Sequence, residues 1–110
     1  MSNCIQIVTW SGAQVDHFSG GVSGQTFYTT FDPATETVGP LQDVNNLHDM
    51  FCPGIATLPN GEVLVVGGSA GGDGGMASSI WTGSQFNAWP KLKNARGYNS
   101  AVTLENGKVW

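Results

Sequence analysis

Short apolar runs alternate with glycine-rich or polar turns along the whole chain, a pattern typical of β-strands rather than of helices. The first run, at 5–10, is followed by a glycine-rich stretch at 11–24. The segment 31–38 predicts a strand, a polar turn and a second strand, and the segment 80–89 repeats that arrangement. The chain therefore predicts an all-β fold built from short antiparallel strands.

An internal repeat organises these strands. The residues TLPNGEVL at 57–64 align with TLENGKVW at 103–110, at an offset of 46 residues. That spacing falls within the roughly 40–50 residues of a β-propeller blade. Each copy predicts a hairpin, and its central Asn-Gly predicts a type I′ turn because both central residues of that turn need a positive φ. The first copy runs on to Gly67-Gly68, where the absence of side chains would let strands approach closely.

The amino-acid composition supports an all-β fold and argues against several other classes of protein. The chain has 110 residues, of which 16 are glycine and 11% are charged, and its formal net charge is −4. Abundant glycine and few strong helix formers argue against long helices, and no apolar run approaches the ~20 residues of a membrane-spanning helix. The few basic residues argue against a charge-driven nucleic-acid binder. We therefore expect a folded protein with no nucleic-acid and no membrane partner.

The chain ends and the cysteines leave several points open. The chain stops inside the strand predicted within 103–110, so we expect it to be a piece of a longer protein. Its first residues show no secretory signal. Cys4 and Cys52 could form one disulfide, but two cysteines do not settle the cellular compartment.

The repeat also pairs two residues that carry different chemistry. Shifting Cys52 by the repeat offset reaches Tyr98, so a thiol and a phenol should be neighbours where inner strands begin, a usual place for a ligand site. The alternative is simple packing. An isolated cysteine is usually small core filling, and a tyrosine in a strand is ordinary β-sheet packing. Spacing alone leaves both interpretations open.

One continuous string connects this pair to a known family. Residues 48–55 read HDMFCPGI and residues 95–98 read ARGY, and together they resemble the copper radical oxidases of the galactose oxidase type. The resemblance covers nearly the whole chain and is poor in the loop 67–80. Its upstream matches are Trp10-Ser11, Asp16, Phe18, Gly20-Gly21 and Phe31-Asp32-Pro33.

The resemblance implies a fold and an activity. The fold would be a seven-bladed kelch-type β-propeller, of which residues 1–110 would form about two blades and the start of a third within a catalytic domain. The activity would be that of a secreted enzyme that oxidises the primary alcohol of galactose, or another alcohol, to an aldehyde and reduces O2 to hydrogen peroxide.

The resemblance also implies roles for three residues. In this family the cysteine matching Cys52 forms a thioether bond to the tyrosine matching Tyr98, and that tyrosine binds copper and is oxidised to a radical. A phenolate suits copper(II), which prefers nitrogen and oxygen donors in tetragonal geometry, and a ring sulfur makes one-electron oxidation easier. The phenylalanine matching Phe18 lines the substrate cavity; alternatively, Phe18 anchors its loop against a blade.

Other candidate residues are expected to be structural. The family's second tyrosine and two histidines that bind copper have no match here and are expected in later parts of the protein. His17 and His48 are expected to be loop or turn residues, and Arg96 to make a salt bridge or a backbone contact. The tryptophans are expected to be strand residues that pack within the sheets: Trp10, Trp81, Trp89 and Trp110.

Two other functions remain open from the sequence. The first is a non-catalytic kelch module that binds a protein or a glycan through its loops, because kelch blades serve both uses and the fold alone does not decide between them. The second is a propeller hydrolase of the sialidase kind. That function needs an arginine-rich site with clustered carboxylates, and the chain offers one arginine and no such cluster.

Overall fold

The computed structural model describes residues 5–12, 26–44, 48–68 and 75–110. These residues form two four-stranded antiparallel sheets, which confirms the all-β prediction. No helix in the described part of the chain is long and apolar enough to cross a membrane. The first sheet contains β1 (Ile7–Gly12), β2 (Thr26–Asp32), β3 (Thr37–Val38) and β4 (Gln42–Asp43). The second sheet contains β5 (Gly54–Thr57), β6 (Val63–Val66), β7 (Ser78–Trp81) and β8 (Phe86–Trp89).

β2 is the centre of the first sheet because it is long enough to pair with three other strands. β1 runs antiparallel to it, starting with Ile7 opposite Phe31. β3 and β4 both pair with β2, β3 near its end and β4 near its start. The chain turns after Asp32, whose Oδ1 accepts a hydrogen bond from the main-chain N–H of Ala34 at 2.9 Å, as expected of an Asx turn. The strand–turn–strand prediction for 31–38 is confirmed.

The second sheet is a meander in which each strand pairs with the next. β7 is buried at every position, whereas β8 buries only Phe86. Successive side chains of a strand point to opposite faces. Val65 of β6 therefore packs in the core with Tyr28 of the first sheet, whereas Leu64 and Val66 line the other face.

The predicted type I′ turn is wrong. Of the two residues in Asn60-Gly61, only the glycine has a positive φ, at 86°. The N–H of Gly61 donates to the carbonyl of Leu58 at 2.9 Å, and the N–H of Leu58 donates to the carbonyl of Glu62 at 2.8 Å. This is a type I turn followed by a left-handed glycine. The hairpin closes between Leu58 and Glu62, so its loop has three residues rather than two and needs a positive φ only at the last of them, the glycine. Pro59 suits the first central position of this turn but is not required for it, because the second copy of the repeat has Glu105 there.

The second copy of the repeat folds in the same way. The N–H of Gly107 donates to the carbonyl of Leu104 at 2.9 Å, and the N–H of Leu104 donates to the carbonyl of Lys108 at 2.7 Å. The two copies also touch. Thr103 donates its hydroxyl to the carbonyl of Thr57, its counterpart in the first copy, at 2.6 Å. The sequence repeat is therefore a structural repeat whose copies lie side by side.

Aromatic side chains from both sheets form the core between them. Tyr28 of the first sheet meets Phe86 edge to face at a ring-centroid distance of 5.1 Å and Trp81 at 5.5 Å. Trp10 meets Phe86 in the same manner at 5.9 Å. Such pairs add about 0.5–1.5 kcal/mol each beyond the effect of burial. The predicted packing of Trp10 and Trp81 is confirmed.

A cavity of about 780 Å³ opens on the other face of the second sheet. Leu64 and Trp89 line it from the sheet, and Ala101 and Trp110 line it from the second copy of the repeat. Trp89 and Trp110 remain 49% and 88% exposed. Within the described residues, these two tryptophans are therefore packed much less than predicted.

Candidate functional site

Cys52 and Tyr98, which occupy equivalent positions of the repeat, adopt the same unusual backbone conformation. Their φ angles are 53° and 52°, in the left-handed region that residues other than glycine rarely occupy. One other described non-glycine residue has a positive φ, Glu36, which lies in the turn before β3. This conformation costs roughly 1–2 kcal/mol per residue. Such strain persists only where the surrounding structure enforces it, and it clusters at functional sites.

A main-chain hydrogen bond joins the two residues. The N–H of Tyr98 donates to the carbonyl of Cys52 at 3.1 Å. The ring of Tyr98 also meets the ring of Phe51 edge to face, with their centroids 6.5 Å apart. The segment that leads into β5 is thus joined directly to the segment that leads into the second hairpin. The neighbour relation expected from the repeat is present in the main chain.

The two side chains differ in their exposure. Cys52 is a half-buried free cysteine, whereas Tyr98 is 74% exposed among the described residues. A tyrosine that fills a β-sheet core would be largely buried. Core packing within the described residues therefore does not account for Tyr98.

His48 lies outside the strands, as predicted, but it is completely buried, which was not expected of a loop residue. Its Nε2 lies 2.5 Å from the carbonyl oxygen of Gly67, and its Nδ1 lies 2.7 Å from Oγ of Ser79. A carbonyl oxygen only accepts hydrogen bonds, so Nε2 carries the proton and Nδ1 accepts from the serine hydroxyl. Burial lowers the pKa of His48 below its ordinary value of 6.5, although the bond to Gly67 and the charge of Asp49 oppose that shift.

The glycine pair at the end of β6 lies against both segments of the site. A Cβ atom on Gly67 would clash with the carbonyl oxygen of Arg96, and one on Gly68 would clash with the carbonyl oxygen of Asp49. Both oxygens belong to the main chain, so neither could move away from an added Cβ without a shift of the segment that contains it. The close approach predicted for this pair is confirmed.

Two neighbours of Tyr98 contact the end of the second sheet. The main-chain carbonyl of Arg96 accepts a hydrogen bond from the N–H of Gly68 at 2.9 Å, whereas the role predicted for its side chain stays a prediction. Asn99 donates through Nδ2 to the carbonyl of Val66 at 3.3 Å, while its Oδ1 is buried without a hydrogen-bond partner. Arg96 and Asn99 both line the cavity described above, but Tyr98 does not.

Among the described residues, the side chains that most often bind metal ions do not cluster. No group of three or more His, Cys, Asp or Glu side chains lies close enough together to hold a metal ion among them. Tyr98 is the copper ligand that the family resemblance implies, and it would be one ligand of a set. The roles proposed for Phe18, His17 and Cys4 concern residues outside the described ranges and stay predictions.

The sequence did not reveal the buried polar residues that surround the site. His48, Thr26 and Ser79 are completely buried. Thr26 lies on β2 and Ser79 on β7, far from each other in sequence, and only the fold brings them to His48. The string at 48–55 marked the right segment, but nothing in it indicates that its first side chain is buried.

Comparisons with known proteins bear on the same part of the molecule. No family model matches the chain. Two galactose oxidase sequences from Gibberella zeae are 33% identical to it over 108 residues, which are 96% of this chain and 15% of each relative. The chain thus spans about 15% of the length of these curated relatives and is homologous to that part of them. A solved structure of a fungal alcohol oxidase of the AA5 family, in complex with copper, also matches, with a TM-score of 0.78 and 24% sequence identity. The match covers 94% of this chain and 22% of the oxidase chain, and it indicates a shared fold.

Proposed function

We propose that this chain is one segment of a copper radical oxidase related to galactose oxidase, in which Cys52 and Tyr98 form a thioether-linked, redox-active side chain. The observation that carries the proposal is the hydrogen bond from Tyr98 N–H to the Cys52 carbonyl, made by two residues in the same left-handed conformation. The 33% identity to part of galactose oxidase supports it. The complete enzyme would be a seven-bladed kelch-type propeller, and this segment would supply about two blades and the start of a third.

The proposed cross-link is a two-electron oxidation. A C–S bond forms between the sulfur of Cys52 and a ring carbon of Tyr98, while the S–H bond and one ring C–H bond break. Dioxygen accepts the two electrons and two protons and becomes hydrogen peroxide. One feature favours this step: the main-chain bond holds the two segments together.

The described residues fit part of a copper site. Tyr98 offers an oxygen donor of the kind that copper(II) accepts, and its exposed ring can meet ligands from outside residues 1–110. The shared fold with a copper-containing alcohol oxidase supports the choice of metal. Bound copper would supply a second one-electron acceptor beside the oxidised side chain of Tyr98.

The proposed reaction converts a primary alcohol to an aldehyde. The alcohol loses two electrons and two protons, and O2 takes them up to form hydrogen peroxide. Tyr98 would accept one of the two electrons as its radical returns to the closed-shell phenol or phenolate. Phe18 would offer an apolar face to the carbon skeleton of galactose or another alcohol, and Phe18→Ala would then raise KM with the cross-link intact.

Peptide mass analysis of the intact, copper-loaded protein tests the proposal. Cleavage at methionine followed by trypsin releases Cys52 in fragment 51–76 and Tyr98 in fragment 97–108, both separate from Cys4. We expect a linked pair that is lighter than the two fragments together by two hydrogens and that resists thiol reductants. Cys52→Ser is the matched control and should give separate fragments. Separate fragments from the wild-type protein after aerobic copper loading would contradict the proposal.

A further inference from the structure

His48 is a buried polar side chain for which the proposed reaction has no use. It is completely buried and is the largest of the fully buried side chains among the described residues. A buried imidazole needs partners for both ring nitrogens, since an unpaired polar group in the interior is unfavourable. Both partners are present, Gly67 and Ser79. The ring is therefore held in one orientation and one tautomer.

The carbonyl that His48 binds belongs to a peptide group with a second contact. In the peptide between Gly67 and Gly68, the C=O accepts from His48 Nε2 and the N–H donates to the carbonyl of Arg96 at 2.9 Å. One rigid peptide plane thus joins the segment that contains Cys52 to the segment that contains Tyr98. A rotation of this plane would break both bonds together.

The main chain of residues 48–50 is held from the opposite side by the first sheet. The hydroxyl of Thr26 donates to the carbonyl of His48 at 2.8 Å and accepts from the N–H of Met50 at 2.9 Å. The indole N–H of Trp10 donates to the carbonyl of Met50 at 3.0 Å. These residues are thus fixed to the first sheet through their backbone and to the second sheet through the ring of His48.

We propose that His48 is a positioning residue, which sets the segment of Cys52 against the segment of Tyr98 by holding the Gly67–Gly68 peptide. The proposal has two consequences. The first is chemical: His48 should speed the formation of the thioether bond, and this part rests on the proposed function. The second is geometric: His48 should strengthen the main-chain hydrogen bond between Cys52 and Tyr98, and this part depends on neither copper nor turnover.

Hydrogen exchange of the intact, copper-free protein tests the geometric part. His48→Leu removes the hydrogen-bond donor to the carbonyl of Gly67. The amides of Gly68 and Tyr98 should then exchange roughly ten-fold faster, measured relative to the amide of Val65 in β6, because this is the change expected when one hydrogen bond is lost. His48→Gln keeps an N–H donor and should restore most of the protection. Equal acceleration at all three amides, or a failure of His48→Gln to restore protection, would overturn the proposal.

A second variant keeps the test decisive if His48→Leu does not fold. Ser79→Ala removes the group that orients the ring and leaves the bond from Nε2 to Gly67 possible. It should accelerate exchange at Gly68 and Tyr98 by a smaller factor than His48→Leu would, again relative to Val65. Unchanged relative rates in a folded Ser79→Ala protein would contradict the positioning role.

Cross-link formation then separates this inference from the proposed function. On addition of copper to the intact protein, the yield of linked fragments should rise several-fold more slowly in His48→Leu than in wild type, and His48→Gln should recover the rate. A wild-type protein that never forms the link would contradict the proposed function, and the exchange rates would still decide the role of His48. A normal rate of linking in a folded His48→Leu protein would overturn the positioning role alone.

Discussion

The main-chain N–H of Tyr98 donates a hydrogen bond to the carbonyl of Cys52 at 3.1 Å, and both residues have a φ within a degree of each other in the left-handed region. They stand at the same position in two successive copies of one repeat. Equivalent residues of a repeat share their backbone conformation, as Gly61 and Gly107 also do with φ angles of 86° and 81°. At the position of Cys52 and Tyr98, however, neither copy has a glycine, so both copies bear the steric penalty of a positive φ.

The first prediction concerns that strain at Cys52. Cys52→Gly should be more stable than Cys52→Ala by about 1 kcal/mol or more, because both lose the thiol but only alanine keeps the steric penalty of a positive φ. The urea midpoint of the intact, copper-free protein measures the difference. Glu36→Gly and Glu36→Ala form a matched control pair at the other described strained position, in the turn before β3. Equal midpoints for the two Cys52 variants would mean that the left-handed conformation is absent in solution.

The second prediction concerns the close approach of backbones at the end of β6. Gly68→Ala should destabilise the protein by about 3 kcal/mol, since its Cβ would overlap the carbonyl of Asp49 and that segment is tied to both sheets. Gly61→Ala is the control. Gly61 also has a positive φ, but a Cβ there meets nothing within 4 Å, so the loss should be nearer 1 kcal/mol. Thermal or urea unfolding measures both losses, and a similar loss for the two variants would contradict the close approach.

The strands and the position of the candidate pair could be predicted from the sequence because they follow from local patterns. Alternating apolar runs predicted the strands, and an offset of 46 residues predicted that Cys52 and Tyr98 are neighbours. The turn at Asn60 was predicted wrongly because Asn-Gly was taken as the two central residues of a two-residue loop. Both copies instead close a three-residue loop, in which the asparagine keeps a negative φ and only the glycine is left-handed, with either Pro59 or Glu105 at the first loop position.

The buried polar contacts could not be predicted, because they depend on long-range packing. Thr26 and His48 meet only when the two sheets stack, and Ser79 reaches His48 only from β7. No periodicity or spacing relates three residues on separate elements. The exposure of Tyr98 was also beyond the sequence, since an aromatic residue near a strand is more often packed than open.

The third prediction concerns pH and follows from the lowered pKa of His48. Burial disfavours the charged ring more than the Gly67 carbonyl and the Asp49 carboxylate favour it. Below the ordinary pKa of 6.5 the unfolded chain takes up a proton at this residue while the folded chain does not. Stability contributed by neutral His48 is therefore fully present above about pH 6.5 and is lost as the pH falls toward the lowered pKa of the folded state.

Urea midpoints measured from pH 7.5 down to about pH 5 test this sign. The wild-type protein should lose more stability over that range than His48→Gln, which carries no titrating ring. Because other acidic and basic groups titrate in both proteins, the difference between the two curves is the quantity to compare. Parallel curves would contradict a lowered pKa for His48.

The fourth prediction tests the proposed chemistry at Tyr98 while the fold is kept constant. Tyr98→Phe retains the edge-to-face contact with Phe51 and the main-chain bond to Cys52, because neither uses the hydroxyl. The side chain is largely exposed among the described residues, so in the copper-free protein, before any cross-link forms, the free energy of unfolding should change by no more than about 0.5 kcal/mol. Without a phenol there is no oxygen to bind copper and no phenol to be oxidised to the radical. Oxidation of a primary alcohol by the intact, copper-loaded variant should therefore fall to background, measured as hydrogen peroxide released, and the linked fragment pair should disappear with it. A folded Tyr98→Phe protein that still releases peroxide at the wild-type rate would show that the oxidising group lies elsewhere in the protein.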